Sequence, residues 1–184
     1  MPLDIQHPPG TLNGQGADIM DGGSGKDWLQ YNDSVAGVVV DLRTDALGFQ
    51  SASGGDADGD IISGFEFVIG SAFDDTLIGD DTNNILRGGN GADIIDGQGG
   101  NDSEKGGGGA DTFVFDLNDG TDTITDFQDG LDMIAFVATA GLTVANVTIS
   151  ASGANALVDY AGGQIVVNGA AGLIDAADID FAWV

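Results

Sequence analysis

The chain has 184 residues, with four Lys and Arg against thirty Asp and Glu, a net charge of −26 and no Cys. That balance argues against a nucleic-acid partner or an anionic membrane surface, because no basic patch exists to meet phosphates. The missing thiols exclude disulfides, thiolate metal sites and Cys nucleophiles, and the length allows one domain or two small ones.

Only two of the acids are Glu, Glu66 and Glu104. A preference for the shorter carboxylate suits oxygens held close to tight turns. Residues 1–12 contain all three prolines and read as a flexible leader or linker. They lack the basic start and apolar core of a signal peptide. No apolar run in the chain approaches the roughly 20 residues that span a bilayer. From Asn13 two nine-residue units follow, NGQGADIMD and GGSGKDWLQ. Residues 31–69 then interrupt the pattern. Within them VAGVVVDL reads as a strand, RTDALGFQSASGGDADGD as a polar loop, and II and FEFVIG as further strand pieces. Gly55–Ser63 fits the unit weakly, with Asp60 at its sixth position.

From Gly70 to Val114 five units run without a gap: GSAFDDTLI, GDDTNNILR, GGNGADIID, GQGGNDSEK and GGGGADTFV. Their template is GGxGxDxUx, where U is a large apolar residue. After Phe115 the grid stops. Strand-like runs continue as DTITDF, DMIAFV, LTVANVTIS, ALVDY and QIVVNG, divided by Gly, Asn and Asp turns. A short helical turn near LIDAADID is the one exception to an all-β class.

A nine-residue period with glycines and one Asp in fixed register marks a parallel β-helix that binds calcium. Each unit divides into a turn, GGxGxD, and a strand, xUx. Glycine lets the turn curl and aim its carbonyl oxygens inward, while alternation along the strand points the single U into the core. The inward residues are then Met20, Leu29, Leu77, Leu86, Ile95, Glu104 and Phe113. Two units make one coil, and the coils build two parallel sheets back to back. The expected architecture is a right-handed parallel β-roll over residues 13–114, interrupted by the insert at 31–69, with a C-terminal β cap at 115–184.

Turns from alternate units stack about 4.8 Å apart, close enough for two of them to share a cation. Calcium accepts roughly six to eight oxygens at flexible geometry, whereas magnesium demands a strict octahedron. On one edge the register pairs Asp75 with Asp93 and Asp93 with Asp111. On the other it pairs Asn84 with Asp102, a weaker site because Asn84 lacks charge and Gln98 replaces a glycine. About three ions are therefore expected in this array. Asp18 and Asp27 fall on opposite edges and need partners from the insert that the register does not assign. The plainer reading is a metal-free solenoid whose Asp are only turn residues, but bare carboxylates stacked so closely repel one another. Glu104 occupies an inward position, costly unless paired or solvated, and predicts a frayed or rearranged coil.

No catalytic constellation is expected. His7 is the only histidine, so neither a Ser-His-Asp triad nor a Cys-His pair can be built. The neighbouring acids Asp74/Asp75 and Asp80/Asp81 lie in repeat turns, where metal binding or solvation accounts for them.

GGNGADIID and GGGGADTFV, followed by TDTITDFQDGLDMIAF, resemble the RTX (repeat-in-toxin) family, in particular the C-terminal domain of serralysin-type secreted proteins. The resemblance implies a roll that folds on calcium outside the cell after export by a type I secretion apparatus. It also implies a ligand set, carbonyls of the first and third turn positions joining those of the second and fourth in the next turn, with both Asp. Carried over, these are Gly70, Ala72 and Asp75 with Gly89, Gly91 and Asp93, and then Gly88, Asn90 and Asp93 with Gly107, Gly109 and Asp111. On the other edge Gly100 joins Asn84 and Asp102. The ending Asp180-Phe181-Ala182-Trp183-Val184 is similar to an uncleaved secretion signal and reads equally as a last strand. A second reading, a module that binds extracellular polysaccharide or a cell surface, resembles the repeat modules of mannuronan epimerases and adhesins. Its mark would be exposed aromatics beside the few cations, Lys26, Arg43, Arg87 and Lys105.

Overall fold

A three-residue strand has too few hydrogen bonds and too little apolar surface to stand alone, so each nonapeptide depends on the coils above and below it. The computed structural model describes residues 17–44, 50–137, 146–175 and 177–183, and shows these strands alternating between two sheets. The first sheet contains β1 (Ile19–Asp21), β3 (Val39–Asp41), β4 (Gln50–Ser53), β5 (Ile61–Ser63), β7 (Thr76–Ile78), β9 (Ile94–Asp96), β11 (Thr112–Phe115), β13 (Met133–Val137) and β17 (Ile179–Trp183). Its order is β1-β5-β4-β3-β7-β9-β11-β13-β17. The second contains β2 (Trp28–Gln30), β6 (Phe67–Ile69), β8 (Ile85–Asn90), β10 (Ser103–Gly108), β12 (Gly120–Ile124), β14 (Thr148–Ser152), β15 (Asn155–Tyr160) and β16 (Gly163–Val167). Its order is β14-β15-β16-β12-β10-β8-β6-β2. The chain is an all-β parallel roll with a C-terminal β cap.

The inward residue of each unit stacks on its counterpart one coil away. In the first sheet Val40, Leu77, Ile95, Phe113 and Ile134 form one buried column. In the second the column is Leu29, Val68, Leu86, Glu104, Ile124 and Val167. Each aliphatic side chain buried this way stabilises the fold by roughly 1.5–3 kcal/mol. At the C-terminal end the core closes on aromatics. Phe136 packs edge-on to Tyr160 at 5.1 Å and stacks on Phe181 at 5.5 Å.

The insert differs from its reading as a polar loop. Gln50–Ser53 is a strand, antiparallel to both β3 and β5. It buries Gln50 and Ala52 and exposes the two serines, and the Gln50 side-chain amide donates to the Leu42 carbonyl at 2.6 Å. Small and polar residues alternating with period two carried too little apolar signal to be read as a strand. Beyond Val114 the parallel ladders also run on, through β12, β13, β16 and β17. The meander β14-β15-β16 closes one end of the second sheet. Ile179–Trp183 is the last strand, paired parallel to β13. No helix forms in the described part of LIDAADID.

The coil at Glu104 is not frayed. Glu104 keeps register with Leu86 and Ile124, is 0% exposed, and neither carboxyl oxygen has a hydrogen-bond partner. Flanking ladder bonds on both sides hold the strand against the local penalty. Burial, followed by the charges of Asp122 and Asp102, pushes its carboxyl well above the usual carboxylate range, so the roll carries it as a neutral acid. An unsatisfied buried polar group costs about 1–3 kcal/mol. Glu104→Leu is therefore expected to stabilise the roll by about that much, read as a higher unfolding midpoint by calorimetry; a lower midpoint would show that the carboxyl has a partner.

Candidate metal centre

The turns are built as the nonapeptide requires. The second and fourth positions take positive φ in the later turns, as at Gly89 (134°) and Gly91 (124°), whereas Ser71, Phe73, Asp80 and Thr82 in the first two turns do not. Space is as restrictive as conformation, since a Cβ on Gly109 would collide with the Gly91 carbonyl oxygen. Turn 88–93 and turn 106–111 therefore nest backbone against backbone, with Gly107 paired to Gly89.

Carbonyl direction alternates along each turn. The oxygens of Ser71 and Phe73 press forward on Gly89 and Gly91, and those of Gly89 and Gly91 on Gly107 and Gly109. The Gly88 oxygen points back at Gly70, and the Gly108 oxygen accepts the Gly91 N–H at 2.9 Å. Each gap is thus faced by second- and fourth-position oxygens of the earlier turn and odd-position oxygens of the later one. Gly89 and Gly91 face the gap between Asp93 and Asp111, not that between Asp75 and Asp93, and Gly88 faces the earlier gap. The parallel ladder fixes these directions, because it hands each outward carbonyl to the neighbouring coil on one side only. Gly100 follows the same rule on the other edge, its oxygen turned towards Gly120.

The sixth-position carboxylates form a ladder. Asp75 N–H donates to Asp93 Oδ1 at 2.9 Å, Asp93 N–H to Asp111 Oδ1 at 3.0 Å, and Asp111 N–H to Asp132 Oδ1 at 3.1 Å. On the opposite edge Asn84 N–H donates to Asp102 Oδ1 at 2.8 Å and Asp102 N–H to Asp122 Oδ1 at 3.0 Å. One oxygen of each carboxylate is thereby fixed to the backbone. The other is left over: Oδ2 of Asp93, Asp102, Asp111 and Asp122 is buried without a hydrogen-bond partner. Asp93 itself is 1% exposed. Asp75 is the exception, its oxygens satisfied by Val38 N–H, Ser71 N–H and Ser71 Oγ. Asn84 is weaker than its sequence suggested. Its Oδ1 accepts Asp80 N–H, so its buried, unpartnered atom is the nitrogen Nδ2, a donor that cannot ligate a cation.

The insert supplies the partners that the register left open. Asp18 N–H donates to Asp60 Oδ1 at 2.9 Å and Asp27 N–H to Glu66 Oε2 at 3.0 Å. Glu66 lies one coil before Asn84, which the eighteen-residue register could have revealed; the antiparallel strand hides the corresponding spacing to Asp60. Asp122 and Asp132 were missed because extra residues break the grid after Val114.

Buried carboxylates without a counter-charge hold their protons. Burial first, then like charge, from neighbouring rungs at Asp93 and Asp102 and from Asp119 of its own turn at Asp122, pushes Asp93 up to about 7, Asp102 to about 8 and Asp122 to about 7, against the N–H each accepts. Asp111 and Asp132 shift the same way for the same leading reason. Orphaned anionic oxygens between inward-turned carbonyls are a donor set for a hard cation such as calcium. Among the described residues no three acidic or His side chains converge to hold a metal by themselves, so backbone oxygens have to supply much of the shell.

Residues 14–30 and 68–104 match the RTX calcium-binding nonapeptide repeat in four copies. The repeats are RTX repeats. The unit starting at Gly106 lies beyond the match yet stacks in the same register. No curated protein sequence matches the chain. Among solved structures it is similar to the extracellular lipase LipA from Serratia marcescens, 17% identical with a TM-score of 0.43 over 91% of this chain and 34% of the lipase. It is also similar to the AlgE6R3 subunit of the Azotobacter vinelandii mannuronan C5-epimerase, 26% identical with a TM-score of 0.29 over 60% of this chain and 79% of that one. The chain thus spans about a third of the lipase's length.

The raised carboxyls set the sign of the calcium-free pH dependence. A folded pKa near 7 or 8, against an unfolded value of about 3.9, means the RTX roll binds these protons more tightly than the open chain. Their stabilising contribution is complete below pH ~4 and lost as pH rises through about 7–8. In chelator, β-sheet circular dichroism is expected to grow on acidification from about pH 8 to 5. A signal that instead grows with rising pH would contradict the burial of these groups.

Proposed function

We propose that this chain is a calcium-triggered folding module of an extracellular protein, kept open for type I export and closed by calcium outside the cell. The observation that carries it is the row of buried Oδ2 atoms, each with no partner, in RTX turns whose carbonyls face the same gaps. Asp93 and Asp111, with Asp75, would hold ions on one edge and Asp102 on the other, and calcium would supply the positive charge that the protein omits. About three ions in the 70–114 array would set +6 against −26 where like charges are densest. An ion that binds only the folded chain stabilises it by about 2.7 kcal/mol at a hundredfold excess over its Kd. Scarce calcium would therefore leave the chain extended and cysteine-free for passage through a secretion apparatus, and abundant calcium would close it. The module is read as non-catalytic, with His7 outside the described residues. The hydrodynamic radius is expected to fall on adding millimolar calcium, and to recover in chelator, while magnesium at the same concentration does little; a radius indifferent to calcium would overturn the proposal.

One observation favours the second reading, a polysaccharide-binding surface. Trp28 is 40% exposed on the outer face of the second sheet, 4.7 Å from Phe67. Arg87 lies 5.4 Å over the Trp28 ring, Lys26 5.5 Å over Phe67, and Lys105 sits in register beside Arg87. Three of the four cations of a strongly acidic chain thus gather on one aromatic face, while Arg43 is bound to Asp41 at 2.7 Å. Titrating an acidic polysaccharide at saturating calcium tests it. A change in Trp emission that is lost in Arg87→Glu supports the surface, and no change removes it.

A further inference from the structure

The nonapeptide grid ends at Val114, but one edge of the roll continues with a turn of the same shape. Leu117-Asn118-Asp119-Gly120-Thr121-Asp122 occupies the place of a GGxGxD turn above Gly97–Asp102. Its second position, Asn118, has φ 70° and its fourth, Gly120, φ 109°, the conformations that the repeat turns reserve for glycine. Asn is among the few residues that tolerate this region. Gly120 pairs in parallel with Gly100, whose carbonyl oxygen fills the space a Cβ on Gly120 would need, and Gly100 N–H donates to the Asp119 carbonyl at 2.9 Å. Asn101 Oδ1 accepts Thr121 N–H at 2.9 Å, and Asp122 Oδ1 accepts Asp102 N–H at 3.0 Å. Asp122 is 1% exposed and its Oδ2 is unpartnered, as is Oδ2 of Asp102 across the same gap.

The opposite edge does something else at the equivalent gap. There Asp126 accepts Gly106 N–H at 3.1 Å and Gly107 N–H at 3.0 Å, and the Gln128 side chain donates to the Gly107 carbonyl at 2.9 Å. Asp132 Oδ2 is also satisfied, by Gln128 N–H at 2.7 Å. Side chains bridge this gap, and Gln128 occupies the Gly107 carbonyl that would face an ion. The two edges of the roll therefore end differently.

We infer that the turn Leu117–Asp122 and the turn Gly97–Asp102 together form a calcium site outside the repeats, with Asp122 and Asp102 as its carboxylates, while the Asp126–Gln128 clasp replaces the ion on the opposite edge. The inference rests on the calcium reading of the repeats and adds one ion to their number. It places this ion where the RTX array meets the C-terminal strands, joining β10 to β12.

Native mass spectrometry of the full chain in calcium counts the ions. Asp122→Asn keeps the Oδ1 acceptor for Asp102 N–H and is expected to bind one calcium fewer than the unaltered chain. Asp126→Asn is expected to bind the same number. An unchanged count in Asp122→Asn, or a lost ion in Asp126→Asn, would overturn the assignment. An unaltered chain that binds no calcium would sink the reading of the whole array instead. Terbium gives a readout that does not disturb the carboxylates. Tyr160, whose buried hydroxyl lacks a partner, lies within electrostatic reach of Asp119 and Asp122. Tyr160→Phe should lower sensitised terbium emission with the ion count unchanged, and equal emission would count against a site there.

Discussion

Each rung of this roll is made by one hydrogen bond, from the N–H of a sixth-position residue to the carboxylate of its counterpart one coil on. The bond fixes the distance between stacked turns and leaves the second carboxylate oxygen buried with nothing to bind. Repeated at Asp93, Asp111, Asp102 and Asp122, it produces two files of unsatisfied negative charge along the edges of the molecule. The core cannot offset this alone, because the strands of the repeats at Gly70, Gly79 and Gly88 each bury a single large side chain, Leu77, Leu86 and Ile95. Either protons or cations must supply the missing partners, and protons are lost as pH rises through about 7–8.

The same constraint explains why the insert and the C-terminal strands belong to the roll. Asp60 and Glu66 give the first two turns the partners they would otherwise lack, and Asp122 and Asp132 continue the ladder after the repeats. Glu104 is the opposite case. It is a carboxyl on the inside, held in place by ladders rather than by any partner of its own. The roll tolerates it because strands on both sides fix its backbone and because a neutral acid can be buried at modest cost.

Most of the architecture was legible in the sequence because its period is short and its Gly and Asp recur in fixed register. Leu77, Leu86, Ile95 and Phe113 point inward as the template requires. What the sequence hid follows from chemistry that leaves no regular trace. Gln50–Ser53 alternates with Ala52 as its one apolar residue, so a strand looked like a loop. Leu117–Asp122 uses Asn118 where the template has glycine and follows two extra residues, so a turn of the same shape fell off the grid. Carbonyl direction is set by the handedness of ladder pairing, which spacing alone does not encode. For that reason spacing alone does not say which gap each backbone oxygen faces.

Diffraction from crystals grown in calcium, with the anomalous signal used to place the ions, tests the central claim most directly. The account predicts ions between successive turns, within the roughly 2.3–2.6 Å typical of calcium–oxygen bonds from Oδ2 of Asp93, Asp111 and Asp102. An ordered roll whose turns show no ion at these oxygens would contradict it.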